Sequence, residues 1–223
     1  MNTSCDCPFP SPLPVGLTLC DDGLVRPTWA SHDVLLRDYY DTEWGYPIHD
    51  EAGVFERLVL EGFQAGLSWR TVLAKRDAFR AAFAGFLPDV VAAFTDADVE
   101  RLTRTEGIIR NRRKIEAAVA NARATLALRT CRDDPDSPTV HHLGELVWSY
   151  RPEVDPRPTC AHEVPSFIPE SRALAADLKA RGFRFVGPTT MLALMAAIGI
   201  VNTDIVGTHK RPILNCAPKL GRI

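Results

Sequence analysis

The amino-acid sequence predicts an all-α fold, a compact helical bundle, and three observations support that prediction. Apolar residues recur at the spacing of amphipathic helices from residue 50 onward. Side chains that cap helices, or prolines that suit a first helical turn, stand directly before those segments. The apolar runs do not alternate with polar residues, so the sequence lacks a convincing strand signal. We therefore expect one compact unit or two closely packed lobes.

The first predicted elements are set by their capping residues. Residues 1–24 are rich in proline, and we expect a flexible extension there. Asp50 is a suitable N-cap for a helix that runs to Phe63. Ser68 is a suitable N-cap for a second helix that continues to Phe83.

A helix, a glycine-containing hairpin and a second helix are predicted over residues 96–129. Thr95 and Asp98 have the spacing of a capping box at the start of the first helix. Gly107 is placed to end that helix, and Asn111 is placed to cap a long amphipathic helix after it.

Shorter predicted helices surround this motif. Pro88 suits the first turn of a short helix that precedes it. A polar loop is expected over residues 130–139. Three helices then follow, at residues 144–150, 169–179 and 188–199, and the last of these is apolar enough to be buried.

Charge is unevenly distributed along the chain. The 223 residues include 26 basic and 28 acidic side chains, and a net charge of −2 by itself argues against a nucleic-acid partner. Residues 101–116, however, carry a net charge of +4 around the predicted hairpin. A helix N-terminus with added cations is a plausible phosphate-binding site, although a solvated basic face is an equally good interpretation. Residues 207–223 are also basic, so we divide the chain into a main domain at 25–210 and a basic tail at 211–223.

The cysteines and the longest apolar runs indicate the cellular setting. The six cysteines form no CxxC pair, and the N-terminus has no signal-peptide pattern, so we expect reduced thiols in the cytoplasm. Cys5, Cys7 and Cys20 make only a weak metal-site pattern. No apolar run approaches the roughly 20 residues that a membrane-spanning helix needs, so we expect no membrane partner.

Glu61 lies among apolar residues on its predicted helix, and a carboxylate in that setting needs a partner or a purpose. Tyr39, Trp44 and Trp69 are close to it in the sequence. Aromatic rings with one carboxylate suit a flat, cationic or amino-bearing base. Ordinary core packing of the rings, with Glu61 reaching solvent, explains the same pattern.

Four sequence blocks, in order along the chain, resemble a known family. Residues 60–73 read Leu-Glu-Gly-Phe-Gln-Ala-Gly-Leu-Ser-Trp-Arg-Thr-Val-Leu, and residues 39–45 read Tyr-Tyr-Asp-Thr-Glu-Trp-Gly. Residues 107–115 read Gly-Ile-Ile-Arg-Asn-Arg-Arg-Lys-Ile, and residues 183–189 read Phe-Arg-Phe-Val-Gly-Pro-Thr. The sequence resembles the 3-methyladenine DNA glycosylase I family, which belongs to the helix-hairpin-helix glycosylases.

The resemblance implies a function and a set of roles. It implies a monofunctional base-excision repair enzyme that flips 3-methyladenine out of double-stranded DNA and hydrolyses its N-glycosidic bond, leaving an abasic site. Glu61 would accept hydrogen bonds from the base, and the base would lie against Tyr39, Trp69, Trp29, Trp44 and Thr189. Gln64 and Leu67 would fill the gap in the duplex. The phosphate backbone would be held by Gly107, Arg110, Arg112, Arg113 and Lys114. We expect the enzyme to be a monomer.

One feature departs from the family pattern. The family usually carries a structural zinc, and its four ligand positions hold Pro27, Tyr40, Asp204 and Thr208 here. None of these is a thiolate or an imidazole, so a tetrahedral zinc site is not expected. We therefore expect no metal and no cofactor, with glycosylase activity retained.

Two alternatives remain open at this stage. A family member with a shifted lesion preference is one, because Phe63 and Tyr40 are positioned to reshape the pocket. A protein that binds alkylated DNA without cleaving it is the other, and the retained Glu61, Tyr39 and Trp69 argue against it.

Overall fold

A computed structural model describes residues 12–130 and 141–211 of the chain. Over those residues the protein is mainly helical, which confirms the predicted fold class. A two-stranded antiparallel hairpin pairs β1 (Leu17–Leu19) with β2 (Val25–Pro27). The α-helices in chain order are α1 (Val34–Thr42), α2 (Glu51–Gln64), α3 (Trp69–Leu73), α4 (Arg76–Ala82), α5 (Pro88–Ala92), α6 (Asp96–Arg104), α7 (Arg112–Leu128), α8 (Leu143–Ser149), α9 (Pro169–Ala180) and α10 (Pro188–Ala197).

Most of the predicted helix starts are confirmed by capping hydrogen bonds. The Asp50 carboxylate accepts a bond from the backbone N–H of Gly53 at 2.8 Å, and this fixes the start of α2. Ser68 caps α3 in the same way, and Asn111 caps α7. Thr95 forms the predicted capping box at the start of α6. These side chains satisfy N–H groups that have no partner inside the helix.

The β-hairpin contradicts the expectation that strands are absent, and its first strand lies within residues 1–24, where the sequence predicted a flexible extension. Leu17 and Val25 are buried against Ile205, which gives the hairpin a small hydrophobic cluster of its own. Each strand has only three residues, which is too short to produce a readable alternation in the sequence. Residues 1–11 of the predicted extension lie outside the described residues.

Three other segments differ from the prediction or fall outside it. Helix α1 was not predicted; Asp33 caps it by accepting a bond from the N–H of Leu36. The single helix expected after Ser68 is divided at Lys75, whose backbone leaves the helical conformation between α3 and α4. The loop predicted at 130–139 and the basic tail at 211–223 lie almost entirely outside the described residues.

Helix α2 is the centre of the core and carries the candidate site at its C-terminal end. It packs against α3, α7, α8 and α10. The Phe63 ring lies 4.6 Å from the Phe79 ring between centroids, and both side chains are fully buried. Burying this apolar surface is the main favourable contribution to folding. No helix in the described ranges is long and apolar enough to cross a membrane.

Candidate functional site

A cavity of about 350 Å³ opens at the C-terminal half of α2. This volume is within the range typical of small-molecule sites, at about 300–1,000 Å³. Three of its walls are tryptophan rings from different elements, which the fold brings together from distant points in the sequence. The lining residues are Trp29, Leu36, Trp44, Glu61, Gln64, Ser68, Trp69, Arg70 and Ala193.

The acid of the cavity is Glu61, which is only 3% exposed. Burial raises its pKa to about 8, and the nearby positive charge of Arg57 opposes that rise only in part. Glu61 forms no hydrogen bond and no ion pair within the described residues. Burial therefore favours the protonated carboxyl group in the free protein, and a cation in the cavity would favour release of that proton to solvent.

Two polar groups beside Glu61 are buried without a partner. The Tyr39 hydroxyl and the Trp69 indole N–H are both inaccessible, and neither makes a hydrogen bond within the described part of the chain. The two rings lie 5.3 Å apart between centroids and are inclined at 47°. Burial raises the pKa of the Tyr39 hydroxyl, so this group is a hydrogen-bond donor. Buried donors without partners are costly to a fold and are therefore good candidates for ligand contacts.

A fully paired carboxylate lies below this site and contrasts with Glu61. Glu43 accepts hydrogen bonds from Arg57 at 2.6 Å and from Arg76 at 2.6 and 2.7 Å. Burial opposes ionisation of Glu43, but these arginine bonds lower its pKa to about 2. Arg57 also lies over the Tyr39 ring at 5.5 Å, so the Glu43 network supports the floor of the cavity.

The predicted base-contacting residues do not all line one cavity. Trp69 lines the cavity of Glu61, but Tyr39 does not and lies behind the Trp69 ring instead. Trp29 and Trp44 line the cavity of Glu61, and they also line a second, mainly apolar cavity of about 500 Å³. Their rings meet edge-on at 5.6 Å between centroids, forming a partition between the two spaces. Thr189, predicted to contact the base, is on α10 and lines only the second cavity.

The predicted wedge residues lie on a tight turn directly after α2. The backbone N–H of Leu67 donates to the Gln64 carbonyl at 2.6 Å, and Gly66 has φ of +79°. These features describe a type II β-turn, which requires a residue that tolerates positive φ at its third position. Leu67 is 43% exposed at the rim of the cavity, and Gln64 lines the cavity wall.

The predicted phosphate-binding residues fall into three groups. Arg110 and Arg113 are exposed and make no ion pair among the described residues. Arg112 is exposed but forms an ion pair with Glu100. Lys114 differs from the prediction, because its ammonium group is buried and donates to the carbonyls of Phe63 at 2.8 Å and Ala65 at 2.6 Å.

Gly107 gives the hairpin its close packing. It has φ of +86°, and a Cβ atom at this position would lie 2.9 Å from the Cβ of Ala78. Its carbonyl accepts a hydrogen bond from the Lys75 ammonium at 3.2 Å. The glycine thus has a structural reason to occupy this turn, and the hairpin is held close to the elements that line the cavity.

The four positions where the family has zinc ligands are occupied by groups that do not suit the metal. The Tyr40 hydroxyl donates to Asp204 at 2.9 Å, and the Thr208 hydroxyl accepts from the backbone N–H of Arg211 at 3.1 Å. Pro27 pairs with Leu17 in the hairpin and offers no side-chain donor. Oxygen atoms already used in hydrogen bonds, without a thiolate or an imidazole, do not fit a tetrahedral zinc site. The described residues contain no other group of histidine, cysteine and acidic side chains with metal-ligand geometry.

This region is instead a hydrogen-bonded connection between the β-hairpin, α1 and the segment after α10, which we call the clasp. Its members are Arg26, Tyr40, Asp41, Asp204, His209 and Lys210. The Lys210 ammonium donates to the Tyr40 carbonyl at 2.8 Å and to the Trp44 carbonyl. The buried Arg26 guanidinium donates to both carboxylate oxygens of Asp41 at 3.0 and 3.1 Å. Lys210, which belongs to the basic segment at residues 207–223, is engaged in this network.

Several cavity residues were not predicted from the sequence. Leu36, Ser68, Arg70 and Ala193 line the cavity, but no local pattern marks them as ligand contacts. Arg57 could have been found, because it stands four positions before Glu61 on the same helix, where residues i and i+4 share a face.

Comparison with known proteins agrees with this geometry. Residues 29–211 match the family described as methyladenine glycosylase. The chain is 45% identical over 182 residues to DNA-3-methyladenine glycosylase 1 of Escherichia coli K12, covering 80% of this chain and 92% of the relative. A crystal structure of 3-methyladenine DNA glycosylase I superposes with a TM-score of 0.76 at 42% identity, covering 83% of this chain and 98% of the other. A Staphylococcus aureus structure that describes 3-methyladenine recognition has a TM-score of 0.74 at 30% identity, covering 82% and 95%.

Proposed function

The chain belongs to the methyladenine glycosylase family, and from that premise we propose that it excises 3-methyladenine from alkylated DNA by hydrolysing the N-glycosidic bond. The observation that carries the proposal is the unpaired, buried carboxyl group of Glu61 in its cavity, with two buried donors beside it, Tyr39 and Trp69, that lack partners. Relatives whose names state this activity, and a related structure in complex with 3-methyladenine, support it.

The cavity suits a purine that carries a positive charge. Methylation at N3 makes adenine cationic and weakens its glycosidic bond, so a strong acid catalyst is unnecessary. Glu61 in its carboxylate form accepts hydrogen bonds from the flipped base, and the rings of Tyr39 and Trp69 present electron-rich faces to the cation. Neutral adenine lacks the charge that would stabilise the buried carboxylate, and this difference provides selectivity.

Excision requires the base to leave the duplex. Flipping costs a few kcal/mol, and less for a damaged base than for a well-paired one. Leu67 and Gln64, on the turn after α2, are placed to occupy the gap, while Arg110 and Arg113 are placed to bind the backbone. As the bond breaks, positive charge moves from the purine to the deoxyribose, and water adds to the sugar to leave an abasic site. Glu61 is the catalytic residue of this proposal because it contacts the base.

The lesion preference is expected to be that of the family. Phe63 and Tyr40 suggested a reshaped pocket, but neither side chain lines the cavity. Phe63 packs into the phenylalanine core, and Tyr40 belongs to the clasp, where its ring meets the outer wall residue Trp29 at 5.6 Å. This placement favours 3-methyladenine over the alternative of a shifted lesion.

The experiment is a product-release assay on duplexes that each carry one alkylated base. We expect 3-methyladenine to be released as the free base, with an abasic site left in the strand and no strand cleavage. Release of a different base would establish the shifted specificity instead. Binding of the lesion duplex without release of any base would establish a binding protein and contradict the proposal.

The reaction is also proposed to be independent of zinc, since the clasp occupies the positions where the family has metal ligands. Purified protein incubated with a strong chelator and then dialysed should excise 3-methyladenine at its original rate and melt at its original temperature. Loss of activity or of thermal stability, restored by added zinc, would overturn this part of the proposal.

We propose that the enzyme acts on double-stranded DNA, that it is a monomer and that it works in the cytoplasm. The support for a DNA partner is the family together with the exposed Arg110 and Arg113 of the helix-hairpin-helix motif. Size-exclusion chromatography with light scattering on the free protein should give the mass of one chain, 24.6 kDa.

A further inference from the structure

Lys114 is a buried cation whose partners lie on the predicted wedge turn. It is only 8% exposed, although it stands beside the exposed Arg113 at the start of α7. Its ammonium group donates to the carbonyls of Phe63 and Ala65, the two residues that flank Gln64. Burial lowers the pKa of Lys114. Burying an ammonium group costs solvation free energy, and the two hydrogen bonds to these carbonyls offset that cost.

The acceptors of Lys114 lie at the C-terminal end of α2, where backbone carbonyls lack partners within the helix. The helix dipole also places partial negative charge there, which favours a cation. The turn that follows contains Gly66 at positive φ, and its hydrogen bond joins Gln64 to Leu67. Lys114 therefore holds the carbonyls at the start of the turn in place. The backbone held in this way sets the positions from which the side chains of Gln64 and Leu67 project.

A second lysine completes the connection in the opposite direction. Lys75, between α3 and α4, donates to the carbonyl of Gly107 in the hairpin at 3.2 Å. The hairpin thus reaches the turn through Lys114, and the elements after the turn reach the hairpin through Lys75. Arg113 and Lys114 are consecutive residues. One belongs to the surface predicted to bind phosphate, and the other contacts the turn predicted to enter the duplex.

We infer that Lys114 is a positioning residue, which couples the hairpin's hold on the DNA backbone to the wedge turn that replaces the flipped base. It does not contact phosphate itself. This inference rests on the proposed function, since it assumes that the turn enters a duplex. It assigns a role in opening a paired lesion, separate from recognition of the base by Glu61.

The test compares Lys114→Met, which keeps the aliphatic stem and removes the ammonium group, with Arg113→Met as a matched control. Each variant is assayed on two duplexes, one with 3-methyladenine opposite thymine and one with 3-methyladenine opposite an abasic site, where less has to be displaced. We expect Lys114→Met to excise the paired lesion at least about tenfold more slowly, and the unpaired lesion within about threefold of wild type. Its thermal stability is measured alongside.

The salt dependence of duplex binding separates the role of Lys114 from that of Arg113. Arg113→Met should reduce the slope of log K against log salt concentration by about 1, and weaken both substrates alike. Lys114→Met should leave that slope unchanged. If Lys114→Met reduces the slope as Arg113→Met does, then Lys114 contacts phosphate and the inference fails.

Equal loss on both duplexes would also overturn the inference, because a general loss of folding or of base recognition does not depend on the opposing residue. If Lys114→Met does not fold, Lys114→Gln, which retains one donor, is measured for the same paired-to-unpaired ratio. Failure of the proposed function gives a different result, since wild-type protein would then release no base from either duplex.

Discussion

Two adjacent tyrosines on α1 lie in two regions, the clasp and the surroundings of the Glu61 cavity. Buried polar groups are paired in the first region and unpaired in the second. Tyr40 belongs to the clasp, where its hydroxyl donates to Asp204 at 2.9 Å. Tyr39 packs against the cavity wall residue Trp69, and its hydroxyl has no partner among the described residues. Burial raises the pKa of the carboxyl groups in both regions, at Asp204 and at Glu61, yet only Asp204 has a hydrogen-bonded neighbour. The clasp is complete in the free protein, whereas the cavity is completed only by a ligand.

The difference teaches that burial of an acid does not by itself identify a catalytic site. Asp204 accepts a hydrogen bond from Tyr40 and is neighboured by the positive charges of Lys210 and Arg211, and both favour its carboxylate form. At Glu61, only the charge of Arg57 favours the carboxylate form, and it offsets the effect of burial on the pKa only in part. A buried group that the fold leaves unpaired lowers stability, so its retention points to binding or catalysis.

The largest expected effect comes from exchanging the two buried acids for amides. Glu61→Gln should lower the rate of 3-methyladenine excision by about 100-fold or more, because the amide cannot become the anion that stabilises the cationic base. Asp204→Asn keeps an acceptor for Tyr40 and should remain within about threefold of wild type. Single-turnover rates on a lesion duplex measure both variants. Comparable losses in the two variants would show that a buried acid anywhere in this fold supports activity, and would remove the distinction between the regions.

An intermediate effect is expected from the two tyrosines. Tyr40→Phe leaves Asp204 without its donor and should destabilise the protein by about 1–3 kcal/mol, with little change in excision. Tyr39→Phe removes a hydroxyl that has no partner, so stability should be unchanged or slightly higher. Its excision rate should fall by about fivefold, equivalent to one hydrogen bond of about 1 kcal/mol.

Chemical denaturation and single-turnover rates on the same preparations separate these outcomes. The comparison would be reversed if Tyr39→Phe were the destabilised variant and Tyr40→Phe the slow one.

Local sequence patterns predicted the parts of the molecule that local chemistry determines. Asp50, Ser68 and Asn111 were identified as caps because a cap requires only a side-chain oxygen and the next few N–H groups. Glu61 was found because it is an acid within an apolar run. The resemblance added Trp29, which no local pattern connects to Glu61.

The features that were missed depend on contacts between distant segments. The β-hairpin is stabilised by Ile205, which lies far along the chain, so its own sequence carries little strand signal. Lys114 was predicted as a phosphate contact because it stands in a basic run, and only the fold shows the carbonyls of Phe63 and Ala65 around it. The position of Thr189 in a neighbouring cavity likewise depends on how α10 packs.

The most direct measurement of the central claim is the pH dependence of kcat/KM for 3-methyladenine excision by wild type and by Glu61→Gln. This parameter reports ionisations of the free enzyme, in which burial raises the pKa of Glu61 to about 8. The cationic base requires the carboxylate form, so kcat/KM should increase as pH rises and level off above that pKa. The same inflection should be missing from the low residual activity of Glu61→Gln. A flat profile for wild type, or an unchanged inflection in the variant, would contradict the claim that an unpaired Glu61 is completed by the damaged base.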